Sequence, residues 1–322
     1  MVYKKKAAVL SALVVVLALV YFLSFVLDPQ RPSKDSFAWL NPASLTLVDA
    51  IEIDGSGGKT VLNRKNNIWV FPSAGNIDYP VKQGRVDDFL AQLTRRDVYP
   101  LRSASSEGAE KLGFAGGNAA RITLKGGAGL PLLDLLIGSG AAVGNEVYLK
   151  RSDKNEIYSG EDHFTLYTDG KPSDWYDLRL FPVGPSSGID VKTVQQAEIV
   201  LPANEGSDIT QAPSYTLSRR GDGWVITGNE SVSLDTPKVE AWLRSVLEAE
   251  GGDFATAAPA SVEGSISLRL GDGTIRTIQA GPPGDDKSRL ASVSGSGLTY
   301  ALTEWTLNRI FRASDYFVKA AQ

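Results

Sequence analysis

The chain predicts an α+β fold: an N-terminal transmembrane helix, then two tandem repeats of a mostly antiparallel β-sheet with a packed α-helix. Three observations carry this. First, a stretch at 61–93 is written twice. VLNRKNNIW, a turn-rich gap and YPVKQGRVDDFLAQL are answered by TLSRRGDGW, a similar gap and SLDTPKVEAWLRSVL. Second, the paired segments share an apolar stripe: Val86, Phe89, Leu90 and Leu93 answer to Val239, Trp242, Leu243 and Val246, both at i, i+3, i+4, i+7, which is one helix face. Trp69 and Trp224 lie on the strand that precedes the helix in each copy, so these ten residues form the expected repeat core. Third, short β-like runs punctuated by glycine and Asn/Asp turns follow each helix, as in a meander.

Length and composition bound the answer. At 322 residues there is room for about two domains. The net charge is −4, and setting aside Lys4, Lys5 and Lys6 leaves −7 on the rest, so no basic stripe remains to neutralise phosphates and nucleic acid is not an expected partner. The absence of cysteine excludes disulfides, thiolate catalysis and zinc–sulfur sites, and a single histidine, His163, excludes a histidine-rich metal cluster.

In chain order, 1–6 is a short basic cytoplasmic tail. Residues 7–27 form an uncharged run, AAVLSALVVVLALVYFLSFVL, long enough to cross about 30 Å of hydrocarbon as a helix. Its members include Ala7, Leu10, Val14, Leu17, Leu19, Phe22, Phe25 and Leu27. A cleaved signal peptide is the rival, but the run is long and ends in bulky residues where a peptidase needs small ones. The lysines in front place the N-terminus inside and the body outside the cytoplasmic membrane, in the periplasm. Residues 28–43 hold three prolines and read as a linker. The first repeat spans 44–183, with strands at 44–53, 60–64 and 68–71, a helix at 82–95, an exposed loop at 103–118, and four further strands between 120 and 159. Residues 184–195 link it to the second repeat, 196–322, which follows the same order. Its helix starts at Pro237 with Asp235 or Thr236 as cap.

Read in order, Trp69, Tyr79-Pro80, Leu112-Gly113-Phe114, Ile137-Gly138, Val147-Tyr148-Leu149, Ile157-Tyr158 and Asp177-Leu178-Arg179-Leu180-Phe181 resemble domain-of-unknown-function family 4340. The resemblance covers the first repeat well and the second more loosely. It implies a single-pass, extracytoplasmic bacterial protein, often associated with ABC-transporter components of the gliding-motility type, with no established catalytic residues. Lys82 departs from the acidic or small residue expected just after Tyr-Pro, which puts the helix cap in question but not the helix.

Several motifs invite sharper readings. Arg220-Gly221-Asp222 spells an adhesion tripeptide, but Gly221-Asp222-Gly223 serves a hairpin turn, as Asn66-Asn67 does in the first copy. The glycines between 138 and 144 resemble a phosphate loop, yet a strand-like segment follows where a helix is needed. His163 sits beside Glu161 and Asp162 at an expected helix start, where consecutive side chains diverge, so neither a triad nor a metal site is expected. Asp174, Asp177, Asp285, Asp286 and Asp315 offer carboxylates for glycoside hydrolysis, but Asp174 and Asp315 fall at matching repeat positions, as caps would. Trp39, Trp175 and Trp305 break the repeat and are the candidates for partner contact. No catalytic, metal or cofactor set emerges. The expected function is therefore a non-enzymatic, membrane-anchored accessory subunit of an ABC-type transport or surface-assembly complex, with the bilayer and transporter components as partners. The alternative is a module binding envelope polysaccharide or peptidoglycan, and the third class an envelope hydrolase.

Overall fold

The computed structural model describes Leu17 and residues 36–319, apart from 74–76, 115–116, 118, 139–143, 182–188 and 203–212. The anchor expected at 7–27 lies outside the described residues except for Leu17, which is helical and exposed. Among the described residues no helix is long and apolar enough to cross a membrane.

The described chain is mostly antiparallel sheet with a few helices, an α+β architecture. The N-terminal half runs β1 (Ser36–Phe37), β2 (Ala50–Gly55), β3 (Gly58–Lys65), β4 (Ile68–Phe71), β5 (Tyr79–Pro80), the long helix α1 (Gln83–Thr94), β6 (Asp97–Val98) and β7 (Leu101–Ser103). A short helix at Ser106–Lys111 precedes β8 (Ala120–Lys125), β9 (Pro131–Ile137), β10 (Glu146–Arg151) and β11 (Ile157–Glu161). The C-terminal half holds β12 (Val194–Val200), β13 (Ser214–Arg220), β14 (Gly223–Ile226), the long helix α2 (Thr236–Leu247), β15 (Asp253–Ala255), β16 (Gly264–Leu270), β17 (Ile275–Pro283), β18 (Arg289–Val293) and β19 (Thr299–Leu302). A helix at Glu304–Ile310 follows.

Two large sheets result, ordered β5-β4-β3-β2-β8-β9-β10-β11-β7 and β14-β13-β12-β16-β17-β18-β19-β15. Apart from β5, each strand of one holds the place of its counterpart in the other. Period-2 alternation sets which face is buried. In β2, Ile51 and Ile53 are buried while Glu52 and Asp54 look outward. The outer face is tied by cross-strand pairs, Glu52 with Lys125 and Arg121 with Asp134. The β3–β4 hairpin turns on Asn66 and Asn67, whose φ values of 51° and 63° are those of a type I′ turn. Gly221, at φ 56°, serves the β13–β14 hairpin, so the Arg-Gly-Asp tripeptide lies at a hairpin tip.

All ten expected core residues are buried. Val86, Phe89, Leu90 and Leu93 of α1 pack in one cluster with Trp69, and Val239, Trp242, Leu243 and Val246 of α2 pack in the other with Trp224. Each such side chain contributes roughly 1.5–3 kcal/mol by leaving water. Asp235 caps α2 by accepting from the Lys238 amide at 3.1 Å. Lys82 makes no such cap. The start of α1 is instead sewn to β4 by Gln83, whose side chain accepts from the Trp69 amide and donates to the Trp69 carbonyl, both at 2.9 Å.

Three boundaries differ from the sequence expectation. Residues 42–47 form a 3-10 turn rather than strand, because the Asn41 side chain accepts from the Ala43 amide ahead of Pro42, whose fixed φ suits a helical first turn. The stretch read as linker, 28–43, ends inside the fold: β1 pairs with β6, and Trp39 and Leu40 are buried in the N-terminal core. Conversely, Leu180 and Phe181, assigned by sequence to the first repeat, pack in the C-terminal core, with Arg179 bridged to Glu250. The halves therefore interlock. The Leu180 amide donates to the Ala249 carbonyl and that of Gly251 to Leu178, both at 2.9 Å. An aromatic seam runs alongside: Tyr79 stacks on Phe254 at 4.4 Å, and Tyr176 meets Phe71, Tyr79 and Phe254 between 5.0 and 5.5 Å.

Candidate functional site

The densest collection of chemistry lies where the chain enters the body. After α1, the sequence Arg96-Asp97-Val98-Tyr99-Pro100 turns sharply back, and β6 takes β1 as partner. The Arg96 guanidinium donates to the Ser36 carbonyl and the Leu40 amide to the Leu93 carbonyl, which locks this entry in place. Tyr99 then lies across Gly160 of β11. A Cβ at residue 160 would stand 2.5 Å from the Tyr99 ring, so only glycine admits the crossing. Burial pushes the Tyr99 phenol up, helped by the nearby Asp97 carboxylate.

Two features flank Tyr99. Phe37, Trp39, Tyr99 and Tyr158 form a cluster of four edge-to-face contacts and one tilted one, with centroids 5.0–5.8 Å apart. Phe37, Trp39 and Tyr158 wall a cavity of about 270 Å³ that Arg151, Lys154 and Glu156 complete. Asp97, Glu161 and His163 also converge, with Asp97 close enough to act on the Tyr99 phenol. One potential ligand atom from each lies within 4.8 Å of the others. His163 Nε2 stands 3.5 Å from Asp97 Oδ2 and 3.6 Å from Glu161 Oε2. That nitrogen is buried and has no hydrogen-bond partner among the described residues.

This arrangement corrects the sequence reading of Glu161, Asp162 and His163. They do not begin a helix. Glu161 is the last residue of β11, the helix starts only at Thr165, and Asp162 caps it by accepting from the Phe164 and Thr165 amides at 3.1 and 2.9 Å. Glu161 and His163 are two apart on extended chain, which sends their side chains to the same side. Asp97, 64 positions upstream of Glu161, comes into reach only through the β1–β6 and β7–β11 pairings, and no local pattern announced it.

A second groove, about 650 Å³, lies between the Asp54–Ser56 corner and β10 and is strongly acidic, with Asp54, Glu146 and Asp169 on its walls. The Ser56 hydroxyl donates to Asp169 at 2.6 Å. Three of the five carboxylates weighed for glycoside hydrolysis bond to groups close by in the chain. Asp174 accepts from the Lys171 amide, Asp177 grips the Arg179 guanidinium with both oxygens, and Asp286 binds Ser288. Asp174 and Asp315 are not at matching positions. The bridges Val81–Tyr176 and Leu234–Val318 put Trp175 opposite Phe317, and so Asp174 opposite Tyr316.

Two of the three tryptophans expected at a partner surface are core residues. Trp39 is 4% exposed inside the aromatic cluster. Trp175 is fully buried against Phe89 and Tyr167, with the Arg85 guanidinium 4.9 Å over its ring. Trp305, at 67% exposure beneath Arg309, is on the surface.

No curated protein and no solved structure matches the chain. A family model, described as a domain of unknown function (DUF4340), matches residues 69–267, a span that begins in β4, crosses the seam and ends in β16. With more than half of its length so matched, the chain belongs to the DUF4340 family.

Proposed function

We propose that this protein is a non-enzymatic, membrane-anchored accessory subunit whose body works outside the cytoplasmic membrane, in an ABC-type transport or surface-assembly complex. The observation that carries the reading is the matched strand order of the two large sheets, joined by the Tyr79–Phe254 seam. Two copies of one helix-on-sheet unit, fused by backbone hydrogen bonds and stacked rings, make a rigid platform of the kind that holds other proteins in register. The uncharged run at 7–27 supplies the tether, and the transporter link rests on the family resemblance. Trp305, exposed and stacked under Arg309, is the aromatic offered to a partner. Cross-linking in intact cells, detergent extraction at native expression and mass spectrometry test this. Recovery of membrane-transport subunits is expected, with loss of the cross-link in Trp305→Ala. Recovery of no other membrane protein rejects the proposal.

One observation favours a second reading, an envelope-polysaccharide module. The cavity of Phe37, Trp39 and Tyr158 combines aromatic walls with Arg151, Lys154 and Glu156, the mixture that sugars with charged substituents meet in binding sites. Sedimentation of the protein with insoluble cell wall, lost in Arg151→Ala, distinguishes it from the first.

A further inference from the structure

In the Asp97–Glu161–His163 cluster both distances from the histidine are those of a metal site rather than of a hydrogen bond, and the two carboxylates each bring an oxygen within 4.8 Å of the other. A hydrogen bond from an imidazole to a carboxylate measures about 2.7–3.2 Å, and His163 Nε2 stands at 3.5 and 3.6 Å from its two neighbours. In a tetrahedral zinc site with bonds of about 2.0–2.2 Å, adjacent ligand atoms lie about 3.3–3.6 Å apart. One nitrogen and two carboxylate oxygens are a donor set that zinc accepts, and three protein ligands leave a fourth position open. Calcium is a poor fit, since it takes about six to eight oxygens and this set includes a nitrogen.

Further features agree. The ligand nitrogen is buried with no hydrogen-bond partner among the described residues, a costly state for an imidazole unless something completes it. The three side chains come from two segments: Asp97 is held by the β1–β6 pairing, Glu161 ends β11 with His163 two residues beyond it, and the two segments meet where Tyr99 crosses Gly160. Such support lets ligands keep their spacing without the ion. The Arg95 guanidinium lies 3.8 Å from Asp97 Oδ2, but its side chain is 53% exposed and free to swing into water.

We propose that Asp97, Glu161 and His163 bind one divalent transition cation of the zinc type, with its fourth position turned outward to water or to a donor from a partner. The site is independent of the accessory-subunit reading, since it requires only the folded body. In the C-terminal half the place of Asp97 is taken by Glu250 across from Arg179, and no histidine exists there to join it.

The experiment uses the full-length protein in detergent, with any histidine tag removed, titrated with Zn²⁺ alone by calorimetry and with Co²⁺ by visible absorption. The expected result is one zinc per chain, a raised thermal midpoint, and the intense visible bands of tetrahedral cobalt. His163→Ala and Asp97→Asn are expected to weaken binding by at least roughly tenfold. Glu161→Gln, at a side chain 60% exposed, tests the same point without endangering the fold. Asp153→Asn, on the β10–β11 turn, is expected to bind as the parent does. Absence of saturable binding means an ion pair only and overturns the proposal, as does binding unchanged in both His163→Ala and Glu161→Gln.

Discussion

The two halves solve one packing problem with the same pair of rings in exchanged places. Beneath α1, Phe89 meets Trp175 with centroids 5.8 Å apart; beneath α2, Trp242 meets Phe317 at 5.2 Å. The helix position carries the small ring in one half and the large ring in the other, and the 3-10 turn that packs on it carries the complement. Both 3-10 residues are fully buried. A core of given volume accepts either distribution, because interiors select on summed volume and shape rather than on identity at each site. The polar atoms differ, however. The Trp242 indole donates to the Ile310 carbonyl at 2.7 Å, whereas the Trp175 indole has no partner among the described residues.

That exchange can be broken by design. Trp175→Ala and Phe317→Ala each remove a buried ring and are expected to cost about 3–5 kcal/mol by urea unfolding of the full-length chain. Phe89→Trp alone overpacks the N-terminal core at about 1–3 kcal/mol. Combined with Trp175→Phe it recreates the C-terminal arrangement and is expected to recover to within about 1.5 kcal/mol of the parent. A double variant no better than Phe89→Trp alone shows that the two cores are not interchangeable in this way.

The comparison also explains what sequence could and could not deliver. The two helices, their buried stripes and the hairpin at Asn66-Asn67 were legible because they rest on local periodicity and turn chemistry. Trp175 reads from sequence as a surface residue because its identity departs from the expected repeat, whereas it is fully buried. Matching Asp174 to Asp315 sets the two segments one residue out of step and hides the complement, since a 3-10 turn has no apolar period to fix register. β1, β6, β7 and β15 are two or three residues long and are strands only because a distant segment pairs with them. The candidate metal cluster depends on two of these pairings, so it was invisible for the same reason. Leu180 and Phe181 lie before the Pro- and Gly-bearing stretch that precedes the expected second repeat, yet they belong to the later core. Punctuation marks where a chain turns, not where its side chains pack.

Alkaline pH should weaken both halves through their buried phenols. Burial raises Tyr99 in the N-terminal half, and in the C-terminal half raises Tyr215 and lifts Tyr300 to about 12. A phenol whose folded pKa exceeds its unfolded value contributes stability that is complete below the unfolded value and lost as pH rises through the folded one. For Tyr300 the loss runs from pH about 10 to about 12. Unfolding midpoints in urea are therefore expected to fall across that window, and Tyr300→Phe to flatten the fall. A variant with the parent's pH slope rejects Tyr300 as a source of it.

The smallest expected effect concerns how each long helix begins. Asp235 caps α2 through the Lys238 amide, and Asp235→Ala is expected to cost about 1 kcal/mol. The counterpart Lys82 caps nothing, so Lys82→Ala should change stability by less than about 0.5 kcal/mol. The start of α1 is held instead by Gln83, whose side-chain amide makes two hydrogen bonds to the Trp69 backbone and a third to the Val81 carbonyl at 2.8 Å. Lys82→Asp separates the two devices. Gln83 accepts from no α1 amide, so the added carboxylate meets an uncapped first turn and stability is expected to rise by about 1 kcal/mol; a rise of less than about 0.5 kcal/mol shows that this turn needs no acceptor. Gln83→Ala in the same background decides the matter. It removes the clamp, and because clamp and cap bond different groups the benefit of Asp at position 82 is expected to stay constant; a benefit that grows instead shows that the two are coupled.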